Sequence, residues 1–124
     1  MLLNDLISVV REVLPACDHL RRAQYRGRGP YVGHCYVASE AVFHLAKEMG
    51  VALKPMFVRH EDSPHWYLSH NGEPVDATFD QFSTSVDYSK GRGKGFLTKE
   101  PSLRARTLIK LVRKRLSQNL GFST

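Results

Sequence analysis

The chain has 124 residues and a formal net charge of +6, a length that predicts one domain, residues 1–124, with room for a core that needs no disulfides. Its 42% hydrophobic and 24% charged residues are typical of a globular protein. No run of about eighteen apolar residues occurs, which argues against a membrane span. Two distant cysteines, Cys17 and Cys35, favour a reduced, cytoplasmic protein.

The positive charge is concentrated in three segments, residues 21–29, 90–94 and 104–115. Such segments are most often solvated surfaces. They also permit an anionic partner, which could be nucleic acid or an acidic protein surface.

Apolar residues spaced three and four apart predict three main helices. The first ends near Pro15, the second runs from Cys35 to a glycine cap at Gly50, and the third covers residues 101–121. A short helix is expected within residues 16–24. The glycine-rich stretch that follows it predicts a loop leading to Cys35.

The middle of the chain predicts a small antiparallel sheet. Residues 51–60 form its first strand, which Pro55 should confine to an edge. Residues 65–70 and 73–77 are strands joined by a tight Asn-Gly turn, and residues 79–97 are mostly irregular. Helices, then strands, then a helix predict an α+β fold.

Three residues stand out by their place in these elements. Cys35 begins a helix, His65 begins a strand, and Asp76 lies on the next strand across the turn. A hairpin that turns at Asn71 and Gly72 pairs residues whose numbers sum to about 143, which puts Asp76 diagonally next to His65.

This trio is the set that nucleophilic cysteine catalysis requires. A helix N-terminus and an imidazolium both stabilise a thiolate, and a carboxylate orients the imidazole. The unpaired amides beside Cys35 could also donate to a developing oxyanion.

The sequences "GHCYVASEAVFHLAKEMGV" and "HWYLSHNGEPVDAT" resemble the transglutaminase-like branch of the papain-like cysteine enzymes. The resemblance covers residues 33–82 and implies a papain-like, minimal domain. It implies Cys35, His65 and Asp76 as the catalytic triad, with Trp66 and Thr78 as their companions.

The activity that the resemblance implies is acyl transfer or hydrolysis without a cofactor, of peptidase, amidase, deamidase or transglutaminase type. The substrate would be a protein, peptide or other amide-bearing molecule. The segment "YSKGRGKGFLTKEPSLRA" is similar to small bacteriophage proteins, which implies action in the cytoplasm of a bacterial host, on a target that phage or host supplies. We expect a monomer or a small homo-oligomer.

Candidate substrate-binding residues lie outside the trio. Trp66 follows His65, and Gln24, Tyr25 and Tyr31 are the candidates for the family's side-chain oxyanion donor. The "GRGKG" stretch, residues 91–95, is expected to be a mobile surface loop; the alternative is a basic flap in which Arg92 and Lys94 hold an anionic substrate.

Other interpretations use the same residues. A lone helical cysteine is usually a small buried apolar group, and we expect that of Cys17. The fold could be an inactive basic module that binds nucleic acid or a host protein. Cys35 could also share a zinc ion with His60, His65 or Asp76, although we expect no metal.

Overall fold

The computed structural model describes residues 1–121, in which three helices share one core with one face of a four-stranded antiparallel sheet and the second helix contacts the sheet directly. The helices are Leu3–Val13 (α1), Cys35–Glu48 (α2) and Leu103–Gly121 (α3). The strands are Lys54–His60 (β1), Ser63–His70 (β2), Glu73–Val75 (β3) and Arg92–Gly93 (β4), in the order β3-β2-β1-β4. The predicted α+β class is confirmed. None of the helices within residues 1–121 is long and apolar enough to cross a bilayer.

The helix boundaries follow the sequence signals closely. α1 stops two residues before Pro15, whose ring cannot continue a helix. The short helix expected within residues 16–24 is instead a series of single 3₁₀ turns. α1 and α3 each bury one apolar face in the main core: Leu6, Val9, Val10 and Val13 from α1, and Ala105, Leu108, Ile109 and Val112 from α3.

The β2–β3 hairpin has the predicted register, since Leu68 pairs with Val75 and His70 with Glu73. The prediction that Asp76 lies on a strand is wrong, because β3 ends at Val75. At Asp76 the chain turns, and the Asp76 carboxylate accepts a hydrogen bond from the backbone amide of Thr78 at 3.0 Å. This bond between a side chain and the backbone competes with strand pairing.

The expectation that Pro55 marks an edge strand is also wrong, because β1 lies between β2 and β4. β4 is only two residues long and pairs with Met56 and Phe57. The carbonyl of Pro55 accepts from the amide of Lys94 at 3.1 Å. A backbone N–H at position 55 would point to the same side as this carbonyl, toward β4. Because pairing with β4 ends here, the sheet tolerates a proline at this position.

The second face of the sheet is covered by residues 79–91, which we call the cover segment. As predicted, it is mostly irregular, yet it is fastened at several points. Arg11 binds Asp80 through two hydrogen bonds of 3.0 and 2.8 Å. The Glu61 carboxylate accepts hydrogen bonds from the backbone amides and hydroxyls of Ser83 and Thr84. Apolar contacts with the sheet complete the cover: Val58, Tyr67 and Val86 are buried, with Met56, Phe82 and Tyr88 packed around them.

One arginine organises the loop that leads into α2. Arg21 is 4% exposed, although the sequence predicted a solvated charge here. Its guanidinium donates to the carbonyls of Gly29 and Val32 at 2.6 and 2.9 Å and also binds Asp18. A planar group with five donors can satisfy several carbonyls at once, which explains why the loop closes around an arginine.

Gly33 sets the direction in which the loop enters α2. Its φ of +79° lies in the left-handed region, which glycine adopts without steric cost. A β-carbon at this position would lie 2.5 Å from Cγ and 2.6 Å from Cβ of Tyr25. A change of rotamer would move Tyr25 Cγ, but Tyr25 Cβ is fixed by the backbone and cannot move aside.

Gly33→Ala should therefore destabilise the fold through both the backbone angle and the overlap with Tyr25. We expect a loss of about 1–2 kcal/mol for the angle and about 1–3 kcal/mol more for the overlap. Gly27→Ala is the matched control, since Gly27 has the same φ of +79° and open space around it. Urea unfolding of both variants measures the difference, and equal losses would contradict the role given to the Tyr25 contact.

Candidate active site

Cys35 is the first residue of α2 and is partly exposed. The carbonyl of His34 accepts the first helical hydrogen bond, from the amide of Ala38 at 2.8 Å, and His34 makes no side-chain bond to the first turn. The positive end of the helix dipole therefore faces the thiol without a capping side chain. The first turn of a helix is a common position for reactive cysteines.

His65 and Asp76 form a short hydrogen bond that is closed to solvent. His65 Nε2 lies 2.6 Å from Asp76 Oδ2, and the two side chains are 0% and 4% exposed. Asp76 Oδ1 accepts from the Thr78 amide at 3.0 Å and from its hydroxyl at 3.4 Å. Asp76 Oδ2 accepts a further hydrogen bond of 2.7 Å from the hydroxyl of Tyr88. Both carboxylate oxygens are thus held in place.

The His65 ring lies between aromatic side chains. The ring of Tyr67 stacks on it with the centroids 6.1 Å apart, and Phe82 of the cover segment meets it edge-on at 5.1 Å. His65 Nδ1 is buried and has no hydrogen-bond partner within the described residues. A buried nitrogen without a partner is costly, and such groups in folded proteins often have a catalytic use.

The charge state of His65 reflects its two polar neighbours. Burial lowers the pKa of the imidazole, but the hydrogen bond to Asp76 and the interaction with the Cys35 thiol outweigh it and raise the pKa to about 9. The Cys35 thiol is therefore close enough to change the pKa of the ring. His65 Nδ1 nevertheless has no fully formed hydrogen bond to that thiol. Such loose geometry is common in sites without substrate.

The three residues that the sequence selected thus meet at one place, from the start of α2, from β2 and from the turn after β3. An imidazolium that is stable at neutral pH can hold a neighbouring thiolate as an ion pair. The arrangement can then provide a nucleophile, a proton donor and an orienting carboxylate.

Trp66 lies on the opposite face of β2 from His65, because successive strand residues alternate. Its ring contacts Tyr36, the residue after Cys35, at 4.9 Å and stacks on Phe96 at 5.8 Å. Two exposed cations lie over the neighbouring rings. Lys94 Nζ is 4.4 Å from the centroid of Phe57 and 5.3 Å from that of Trp66, and the Arg92 guanidinium is 5.5 Å from Phe57. We call these six residues the cationic aromatic face.

The expectation of a mobile loop at residues 91–95 is wrong in part, since Arg92 and Gly93 form β4. The "GRGKG" sequence gave no alternation by which a strand could be recognised. Pairing with β1 and the contacts of Lys94 with the aromatic rings fix this stretch instead.

Two of the three candidates for a side-chain oxyanion donor make contacts that hold the loop before α2. The Tyr31 hydroxyl donates to the carbonyl of Arg11 at 3.3 Å, and its ring lies 4.1 Å from the Arg11 guanidinium. Gln24 is exposed on a 3₁₀ turn, and Tyr25 packs against Gly33. Tyr31 and Tyr25 therefore have structural contacts that account for them. The backbone amides at the start of α2 are the better candidates.

The zinc interpretation finds no cluster to support it. His60 Nε2 lies 2.8 Å from the Thr84 hydroxyl. Residues 1–121 contain no group of three or more His, Cys, Asp or Glu side chains arranged to hold a metal ion. Cys17 is 0% exposed, and its thiol donates to the carbonyl of Val13, in keeping with the expected packing role.

Sequence reasoning missed Tyr88, which donates to Asp76 from the cover segment. Tyr88 lies in a stretch with no periodicity, twelve residues from its partner. The only local signal is Asp87, whose carboxylate accepts from Ser89 and starts a 3₁₀ turn. That signal predicts a turn and does not identify the partner of Tyr88.

Comparison of the chain with family models, with curated proteins and with solved structures gives no match in any of the three.

Cys35 should react with iodoacetamide at neutral pH, whereas Cys17 should not react in the folded protein. Burial raises the pKa of the Cys17 thiol and closes it to the reagent, while Cys35 is accessible and next to an imidazolium. His65→Ala should slow the alkylation of Cys35 by about tenfold or more. Mass spectrometry of peptides after timed labelling measures both rates.

His70→Ala is the control for this experiment, because His70 lies on the same strand and is partly exposed. It should leave the rate at Cys35 unchanged. Equal labelling of the two cysteines in folded protein would contradict the assignment of Cys35 as a nucleophile.

Two buried histidines predict a maximum in the free energy of unfolding near pH 6.5, the ordinary histidine pKa. The stabilisation from His65, whose pKa is raised to about 9, is complete below that pH and is lost as the pH rises toward 9. Burial and then Arg21 lower the pKa of His34 to about 4, so its stabilisation is complete above pH 6.5 and is lost as the pH falls toward 4.

Each side of the maximum should account for roughly 3–4 kcal/mol, since each pKa lies about 2.5 from the ordinary value of 6.5 and one pKa unit corresponds to about 1.4 kcal/mol. Urea unfolding at a series of pH values measures the curve. His65→Gln should flatten the alkaline side alone and His34→Gln the acid side alone. A profile that is flat from pH 5 to pH 9 in the unmodified protein would rule out this account.

Proposed function

We propose that the chain is a cysteine-dependent acyl-transfer enzyme of transglutaminase-like type, with a minimal papain-like fold. Its triad is Cys35, His65 and Asp76. The observation that carries this proposal is the setting of His65. One ring nitrogen is bonded to a buried carboxylate at 2.6 Å, and the other is buried and has no hydrogen-bond partner among residues 1–121. The Cys35 thiol also raises the pKa of the ring.

In the first half-reaction the Cys35 thiolate attacks the carbonyl carbon of an amide or ester. The resulting tetrahedral oxyanion is stabilised by backbone amides at the start of α2. The bond to the leaving amine or alcohol then breaks as the leaving group takes a proton from the His65 imidazolium. The products are a thioester on Cys35 and a neutral imidazole.

In the second half-reaction the neutral His65 accepts a proton from water or from a primary amine as that molecule attacks the thioester. The acyl group leaves as a carboxylic acid or as a new amide, and the thiolate–imidazolium pair is restored. Water as acceptor gives a peptidase, amidase or deamidase, and an amine as acceptor gives a transglutaminase. Neither half-reaction uses a cofactor.

Asp76 supports both steps without reacting itself. Its hydrogen bond to Nε2 orients the imidazole so that Nδ1 is left for the thiol and the substrate. The burial of the pair strengthens the interaction, because little water competes for the carboxylate.

The cationic aromatic face gives this proposal a substrate preference. Tyr36 directly follows Cys35 and contacts Trp66 at 4.9 Å. The face therefore begins one residue from the nucleophile on α2, although Trp66 lies on the face of β2 opposite His65. Arg92 and Lys94 are exposed and would attract acidic side chains near the acyl group. We therefore favour a protein or peptide substrate with acidic residues, and a host protein fits the resemblance to bacteriophage proteins.

The structure reduces the case for a nucleic-acid-binding module. Several of the 18 lysines and arginines have acidic partners within the fold. Arg11 binds Asp80, Arg21 binds Asp18, and Arg113 and Arg115 bind Glu48 and Glu12. Fewer cations are then available to displace counterions from a phosphate backbone.

Incubation with an activated ester such as p-nitrophenyl acetate should acetylate Cys35 and release nitrophenol. Cys35→Ala should abolish the reaction, and His65→Gln should slow turnover by about 100-fold or more. Absorbance follows nitrophenol, and mass spectrometry locates the acetyl group. Added methylamine should yield N-methylacetamide if the enzyme transfers acyl groups to amines, and acetate alone if it is a hydrolase.

Cys17→Ala is the matched control, because it removes the other thiol from a buried position outside the site. It should retain the full rate. Equal rates for Cys35→Ala and the unmodified chain would contradict the proposal. If the purified chain instead retains only nucleic acid, which salt releases and Cys35→Ala leaves unaffected, the binding-module interpretation takes its place.

A further inference from the structure

Asp76 Oδ2 receives two hydrogen bonds of nearly equal length. His65 Nε2 lies 2.6 Å away and the Tyr88 hydroxyl 2.7 Å away. Asp76 Oδ1 is already engaged by Thr78. The carboxylate would therefore keep its orientation without Tyr88. Fixing that orientation does not explain why Oδ2 has a second donor.

The position of Tyr88 is set by the backbone turn that follows it. The amide of Gly91 donates to the carbonyl of Tyr88 at 3.0 Å, and the chain continues directly into β4. A β-carbon at Gly91 would overlap the hydroxyl of Tyr67, so only glycine lets this turn approach β2 so closely. The Tyr88 ring meets Tyr67 at 4.8 Å. The phenol is therefore held at Asp76 by the path of the cover segment.

The Tyr88 hydroxyl remains a hydrogen-bond donor at neutral and moderately alkaline pH. Burial, and then the charge of Asp76, raise the pKa of the phenol well above its usual value. It remains protonated, and since Asp76 Oδ2 is a carboxylate oxygen, the proton of this bond comes from Tyr88.

We propose that Tyr88 is a positioning residue of the triad, which takes up part of the negative charge on Asp76 Oδ2 and so limits how tightly the carboxylate holds the His65 proton. The inference rests on the proposed function, in which His65 must give its proton to a leaving group and later take one back. A carboxylate bonded to His65 alone would hold the imidazolium more strongly and slow the first of these steps.

The groups that face His65 are few, which makes the effect measurable. Asp76 bonds to Nε2, the Cys35 thiol acts on the ring from α2, and Tyr67 and Phe82 pack against its faces and edge. The measurement is made with Cys35→Ala, so that the neighbouring thiol makes no contribution to the His65 titration. Arg11 is a fixed positive charge that acts on Asp76 at longer range.

The test is an NMR titration of the His65 ring in Cys35→Ala, with and without Tyr88→Phe. Loss of the phenol hydrogen should raise the pKa of His65 by roughly half a unit or more, because the charge on Oδ2 is then shared with His65 alone. Tyr67→Phe is the matched control, since it removes a hydroxyl from the same cluster that is not bonded to Asp76. An unchanged or lowered pKa in Tyr88→Phe overturns the inference.

A second measurement keeps the fold intact. Replacing the tyrosines by 3-fluorotyrosine makes each phenol a stronger donor and should lower the pKa of His65 in Cys35→Ala. The same substitution combined with Tyr88→Phe should abolish that shift. A shift that persists without the Tyr88 phenol would assign the effect to another tyrosine and overturn the inference.

The ester assay supplies the functional measurement. In the chain with Cys35, Tyr88→Phe should lower kcat about three- to tenfold with little change in KM and move the alkaline limb of the pH profile upward. A KM change alone would argue for a structural role. A chain that never acylates Cys35 overturns the proposed function, whereas an unshifted His65 titration overturns the role of Tyr88 alone, so the two failures are distinguishable.

Discussion

The buried hydrogen bond between His65 and Asp76 is the contact on which the rest of the site depends. Burying a charged pair costs less free energy when further hydrogen bonds satisfy its carboxylate. Thr78 and Tyr88 do this for the carboxylate, and the imidazole is left with one free nitrogen. The fold keeps water away by covering the second face of the sheet, although the segment that covers it has little regular structure.

The alternation of β2 divides the chemistry between the two faces of the sheet. His65 and Tyr67 face the cover segment, whereas Trp66 and Leu68 face the helices. Because α2 begins near this strand, Cys35 acts on His65 while the next residue, Tyr36, packs on Trp66. A nucleophile and an adjoining aromatic surface thus arise from two pairs of neighbouring residues.

Arginines fasten the irregular parts of the chain. Arg21 holds the loop before Cys35 through its carbonyls. Arg11 binds the carbonyl of Ala77 at 2.7 Å and the carboxylate of Asp80, just after Asp76, and its guanidinium lies over Tyr31 from the other loop. One residue of α1 therefore contacts both loops that flank the site. A guanidinium suits this task because its fixed donors bind several acceptors in one plane.

The sequence by itself determined the α+β order, the three long helices, the register of the β2–β3 hairpin and the choice of Cys35, His65 and Asp76. These depend on local patterns, namely helical periodicity, a turn dipeptide and the position of a cysteine at a helix start. Only the tertiary structure decided that β4 pairs with β1, that Asp76 lies beyond its strand, that Arg21 is buried and that Tyr88 reaches Asp76. Each of these depends on contacts that form when irregular segments fold back on the sheet, where the sequence has no period from which a partner can be read.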